Sequence, residues 1–196
     1  MQRYILPVVM GFVVAFVLGL GIGWVEQAAG EPMGPVRWWG PAFFGFLTFF
    51  IMANLAGNRR VANASSAERE AALRLTPPEG KALVVVLREG FVGMAAGLNV
   101  LLDGRPVAQL KSPRFVVLPV DPGRHELTAA FGALAGAQNN AGAYSFDARA
   151  GDVIAVRASL SMGALKNTIR LEEAGDLPAF RQRLAKTTMV KAEAPA

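Results

Sequence analysis

Two stretches of this chain carry no charged residue: Ile5 to Val25 and Trp38 to Asn58, each 21 residues long. As helices rising 1.5 Å per residue, both are long enough to cross the roughly 30 Å hydrocarbon layer of a bilayer. A chain of 196 residues offers too little other protein to bury two such helices. The runs therefore predict transmembrane helices at 5–25 and 38–58, within a hairpin unit covering 1–58. A secretory signal has a shorter apolar core, about 7–15 residues, ahead of a small-residue cleavage site. The first run is longer and no clear site of that kind follows it, so it reads as a retained helix.

The flanks fit a membrane setting. Trp24, Trp38 and Trp39 fall where the helices meet their short connection, and Tyr4 marks the opposite end of the first helix. Amphipathic rings favour the headgroup layer, so the tryptophans form an expected interface belt. The connection, Glu26 to Arg37, holds Pro32 and Pro35 and is too short for a domain. Arg59, Arg60, Arg69 and Arg74 follow the second run, and Arg3 precedes the first, against Arg37 alone in the connection. Cations gather on the cytoplasmic side, which predicts two spans of a bacterial inner membrane with both termini and the soluble domain in the cytoplasm.

Gly11, Ala15, Gly19 and Gly23 recur every fourth residue and share one helix face, where another helix can approach closely. Phe43, Phe46, Phe50 and Ala53 are spaced to fill such a groove. The expected uses are packing inside the hairpin, or association with another copy or another integral membrane protein. No ionisable residue lies within either run, whereas an ion or proton path normally needs one.

Residues 59–80 read as a linker with a short helix. Ser65 and Glu68 stand at capping-box spacing, and Pro77-Pro78 stops the helix. From Lys81 the helical period gives way to short apolar segments separated by turns. Strands are expected at 82–88, 98–103, 106–110, 115–120, 125–131, 143–148, 153–160 and 168–172. Eight strands at this spacing predict an antiparallel β-sandwich over 81–175. Asp176 then caps a basic helix and tail, 176–196, with Pro178 in the first turn. The fold class is thus a membrane α-helical hairpin plus an all-β domain.

The segments Leu98 to Val107 (LNVLLDGRPV), Pro122 to Leu127 (PGRHEL) and Ala150 to Ile154 (AGDVI) carry a resemblance. Over residues 81–175 the chain resembles the PEGA-like small bacterial β-sandwiches, in a branch of unknown function usually found on exported lipoproteins. These motifs are turns, so the resemblance implies a prealbumin-like fold and no chemistry. It also implies an extracytoplasmic domain, against the cation count, and the local charges weigh more because they govern this chain's own insertion.

Reactive groups are scarce. The chain has no cysteine and one histidine, His125, which excludes Cys/His nucleophile pairs and His-rich metal sites. Asp103, Asp121 and Asp152 fall in tight turns, where aspartate serves the backbone. No catalytic, cofactor-binding or metal-binding residues are expected, and the chain is read as no enzyme. Residues 1–57 hold two cations and two anions, so the net charge of +5 belongs to the remainder. Arg59, Arg60, Arg181, Arg183 and Lys186 are expected at an anionic membrane surface; without interleaved aromatics they do not read as a nucleic-acid site.

Strand reversal should gather the connections 89–97, 111–114, 132–142 and 161–166 at one end of the sandwich, away from the linker and terminal helix. Phe91, Val92, Met94, Met162 and Leu165 make this end apolar, a candidate docking surface. The leading expectation is a non-catalytic accessory or scaffold subunit with the bilayer and other membrane proteins as partners. The alternative is a tethered module binding a peptide, lipid or glycan at these loops.

Overall fold

The computed structural model describes residues 2–193. The chain divides after Gly57 into two compact units. The first is a helical hairpin. A 3₁₀ turn at Gln2–Tyr4 leads into α1 (Ile5–Ala29), and α2 spans Val36–Leu55. Both helices are long and apolar enough to cross a membrane. The first continues past Val25 to Gly30, whose left-handed φ of 71° ends it with an N–H bond to the Glu26 carbonyl. The second starts directly after Pro35, whose fixed φ suits a helix start, and ends at Leu55 rather than Asn58. Glu26 folds over the turn, accepting from the Met33 N–H at 2.8 Å and pairing with Arg37. The polar side chains Thr48 and Asn54 donate to carbonyls one turn back, at Phe44 and Phe50, which removes the cost of carrying them in an apolar helix.

The second unit is largely β. Its strands are β1 (Ala82–Arg88), β2 (Leu98–Leu102), β3 (Arg105–Leu110), β4 (Arg114–Val120), β5 (Gly123–Phe131), β6 (Asn139–Asn140), β7 (Gly142–Ala148), β8 (Val153–Ser161), β9 (Asn167–Glu173) and β10 (Thr188–Met189). Eight coincide with the expected strands to within a few residues. The two-residue β6 and β10 are additions, and the 132–142 connection holds a one-turn helix, α4 (Ala133–Gln138).

The strands form two sheets, ordered β10-β4-β1-β8-β9-β6 and β3-β2-β5-β7. The first sheet is mixed, which corrects the expectation of an antiparallel fold. β1 pairs with β4 antiparallel but with β8 parallel, Leu83 opposite Val153 and Arg88 opposite Ala158. The physical reason lies in β1 itself: all seven residues of ALVVVLR are buried. A strand with no polar face belongs in the middle of a sheet and needs a neighbour on each side. Leu83, Val85 and Leu87 pack with Phe115 and with Phe180 and Leu184 of α5 (Leu177–Ala185). The alternate residues, Val84, Val86 and Arg88, are buried on the opposite face.

Residues 59–80 are not a free connector; they belong to the second unit. The helix α3 (Ser66–Leu73) has the capping box read from Ser65 and Glu68. Leu75 lies in the same apolar cluster as Phe180. Arg69 donates to the carbonyls of Ala185 and Thr187, at 2.5 and 3.1 Å, and so closes the C-terminal end of α5. The final segment is a strap between the sheets. Val190 N–H reaches the Phe115 carbonyl of β4 and Glu193 N–H the Val107 carbonyl of β3. The strap pairs in turn with 62–64 through the bonds Ala64 N–H to Met189 O and Lys191 N–H to Ala62 O.

Candidate functional site

Because β1 and β8 run parallel, both finish at the same end of the β unit, beside the start of β4, where Arg88 faces Arg114. The start of β2 and the end of β5 meet there too, Leu98 opposite Phe131. The connections 89–97, 111–113, 132–141 and 162–166 are thereby brought to one end. The expectation that this end lies away from the linker and terminal helix is overturned. Asn58, the first residue of the unit, donates to the Ala95 carbonyl at 2.9 Å and accepts from the Gly97 N–H at 2.6 Å. Arg59 N–H donates to Gln109 Oε1 at 2.6 Å, and Arg183 of α5 pairs with Glu89 at 3.0 Å. Asn58 carries a donor and an acceptor on one short side chain, which is what two loop backbone groups of opposite kind require.

Arg88 holds this end together. It is 3% exposed, and its guanidinium donates to the carbonyls of Gly93, Ala96 and Leu110 at 2.5–2.6 Å while lying 4.9 Å over the Phe131 ring. Burial lowers it to about 10, still protonated at neutral pH. Gly93, at a left-handed φ of 65°, turns the loop close to Phe131 and Leu160. The 89–97 loop is thus fixed from beneath by a planar, five-donor group. Sequence reasoning passed over Arg88. Its one signal was a cation closing an otherwise apolar strand, two residues beyond Val86.

Held on this frame, Phe91 is 85% exposed, Met162 71% and Leu165 99%, with Val92 and Met94 also exposed. Among the described residues of the second unit, these five are the exposed large hydrophobic side chains. They point outward and do not fold over the sheets. Lys166, Arg60 and Arg59 are exposed as well, although Arg59 shares its charge with Glu193 at 3.1 Å. Arg181 and Lys186 are exposed on and just after α5.

At the other end, β2 and β3 turn through Asp103 and Gly104, both at positive φ, 51° and 76°. The Asp103 carboxylate accepts from the Glu126 N–H at 2.9 Å and meets His125 Nδ1 at 2.7 Å. His125 Nε2 lies 2.8 Å from the Asp121 carbonyl. Both neighbours of the ring are acceptors, so the arrangement favours a proton on each nitrogen. Burial disfavours the charge on His125, but Asp103 and the Asp121 carbonyl outweigh it and raise the imidazole. Burial likewise works against the Asp103 anion, and the Glu126 N–H and His125 overcome it and pull the carboxyl down. Both ring nitrogens are thus hydrogen-bonded within the β domain. A cleft of about 760 Å³ lies beside it, lined by Arg105, Pro106, Leu118 and Val120.

Within the hairpin, the small-residue face is used at the crossing. A β-carbon on Gly11 would stand 2.8 Å from the Gly45 carbonyl oxygen, and one on Gly45 would stand 2.8 Å from Ala15 Cβ. Gly19 comes within reach of Pro41 alone, and Gly23 meets nothing within 4 Å. The three expected phenylalanines do not fill this face: Phe43, Phe46 and Phe50 are exposed, while Pro41, Gly45 and Ala53 are buried. The backbones meet directly there, with Phe49 beside Gly11 as the one phenylalanine close to the contact, and Gly45 was the residue the sequence pattern concealed. Beside the crossing lies an apolar groove of about 470 Å³, lined by Val8, Phe12, Ala42, Phe46 and Phe49 as well as the two glycines. Trp24, Trp38 and Trp39 are exposed near the turn, with the Arg37 guanidinium 5.3 Å over the Trp38 ring.

Among the described residues no group of three or more His, Cys, Asp or Glu side chains could hold a metal ion. No family model matches the chain, and no curated protein does. Among solved structures it is similar to a protein from Eubacterium rectale determined by NMR, with 10% identity and a TM-score of 0.35, over 50% of this chain and 93% of that one.

Proposed function

We propose that the chain is a non-catalytic accessory or scaffold subunit of a bacterial membrane complex. Its two-helix hairpin spans the bilayer and carries one PEGA-like β-sandwich on the cytoplasmic side. The carrying observation is the groove beside the Gly11–Gly45 crossing: apolar, open, and floored by two helix backbones. Two helices in that close contact leave a recess that a third helix can enter by small-residue packing, the chief attraction between helices in lipid. The occupied state of His125 supports a non-catalytic role.

The test is extraction in a gentle detergent, followed by size analysis and mass spectrometry of co-purifying proteins. The wild-type chain should leave the membrane with a membrane-protein partner or a second copy. Ala42→Trp, which fills the groove, should abolish that association and leave the β domain folded. A solitary wild-type monomer would sink the subunit reading. Sidedness is checked with cysteines replacing Ser65 and Met33: an impermeant thiol reagent applied to intact cells should reach position 33 alone.

A further inference from the structure

The residues that make the β domain apolar on its surface all sit at the end where the chain enters it. Phe91, Val92, Met94, Met162 and Leu165 project from the 89–97 and 162–166 loops, and Asn58 is bonded to Ala95 and Gly97 in the first of these. Three peptide units separate Leu55, the last residue of α2, from Asn58; fully extended they span at most about 11 Å. The chain thus enters the β unit at its apolar end, three residues after the apolar helix stops.

From this we infer that the loop end is a bilayer-seating surface, in which Phe91, Met94, Met162 and Leu165 enter the headgroup layer of the same membrane that holds the hairpin. This rests on the reading of α1 and α2 as membrane spans. Three features select lipid over a protein partner. The apolar side chains are carried on two loops, and Phe91, Met162 and Leu165 are each more than two-thirds exposed, as side chains that insert between headgroups must be. Exposed Lys166 adjoins Leu165, and exposed Arg60 follows the chain's entry at Asn58; cations so placed attract an anionic leaflet. The 89–97 loop is also pre-set: Arg88 holds Gly93 and Ala96 from beneath, so its insertion orders little that was free.

The chain has no cysteine, so single cysteines can be introduced and labelled with an environment-sensitive fluorophore. Phe91→Cys and Leu165→Cys report the loop end. Arg124→Cys and Arg149→Cys report the opposite end, roughly 20 Å away along strands of about seven residues. Phe16→Cys reports α1. All five positions are exposed, so the labels should not disturb folding. The full chain is reconstituted in vesicles of phosphatidylcholine and phosphatidylglycerol, with and without lipids carrying a quencher just below the headgroup. Labels at 91 and 165 should emit to the blue and be quenched several-fold more than those at 124 and 149. If 91 and 165 behave like 124 and 149 while 16 is quenched, the anchor stands and the seating is wrong, leaving the loops as a protein-docking surface. If 16 is also unquenched, the spanning reading falls and the seating with it.

Discussion

Gly11 and Gly45 meet backbone to backbone: a β-carbon on either would stand 2.8 or 2.7 Å from the other's carbonyl oxygen. No side chain can enter that contact without moving a helix. Gly45→Leu should therefore push the helices apart by about 2 Å, from glycine contact to ordinary interhelical spacing. Spin labels on cysteines at positions 16 and 44, read by electron–electron double resonance, would register the change. Gly23→Leu serves as the control, because nothing lies within 4 Å of that position. Equal distances in the two variants would contradict the crossing.

Asp103 and His125 give the β domain a pH signature. Raised above its ordinary 6.5, His125 contributes stability fully below that value, and the contribution is lost as pH rises through its folded value. Depressed below 3.8, Asp103 contributes fully above that value and loses its contribution as pH falls through its lower folded value. The pair thus stabilises most between about pH 4 and 6.5 and fades on the alkaline side. Urea midpoints measured from about pH 4 well into the alkaline side should decline as pH rises beyond 6.5 in the wild type. His125→Gln should flatten the decline, whereas an unchanged slope would remove the pair as its cause.

Arg88→Met keeps the apolar stem but removes the donor to three carbonyls, two of them in buried bonds. Loss of charge-assisted bonds of this kind should cost about 3 kcal/mol. Amide exchange at 93–97 should quicken beyond what global destabilisation predicts. Arg88→Lys should recover only part of the loss, since an ammonium lacks the planar fork that spans Gly93, Ala96 and Leu110.

Gly142 begins the edge strand β7, and a β-carbon there would stand 2.4 Å from the Ile169 carbonyl oxygen of β9. The obstructing atom is backbone and cannot rotate away. Gly142→Ala should destabilise the β domain by about 2 kcal/mol, the range of overpacking in a fixed site. Gly104→Ala, with open space around it, should act only through its positive φ of 76°. Thermal unfolding of the two variants beside the wild type would show whether crowding or conformation dominates.

Local chemistry wrote the strands and turns plainly. Asp103-Gly104 took the left-handed geometry its residues favour, Ser65 and Glu68 formed their capping box, and Asp176 capped α5 through the Ala179 N–H. Pairing partners were not legible, because adjacency in a sheet is decided between segments far apart in sequence. ALVVVLR announces a central strand without saying that β8 will lie beside it in parallel. The placement of the loop end was misread for the same reason: Asn58 reaches Ala95 across 37 residues, and no local pattern records that bond. In the hairpin, period-four spacing revealed Gly11 and Ala15, but phenylalanine frequency drew attention from the one glycine that meets them.

Had residues 59–80 been a flexible tether, a coil of 22 residues would let its cargo roam about 25 Å. Folded into the β unit, they supply none of that range. A tug arriving along the backbone at Gly57 is taken up at once by the Asn58 side chain and the Arg59–Gln109 bond. The strap joining 62–64 to 189–191 stands next in line, before the ladder of β1 is stretched. Load applied there meets folded structure from the first residue of the unit.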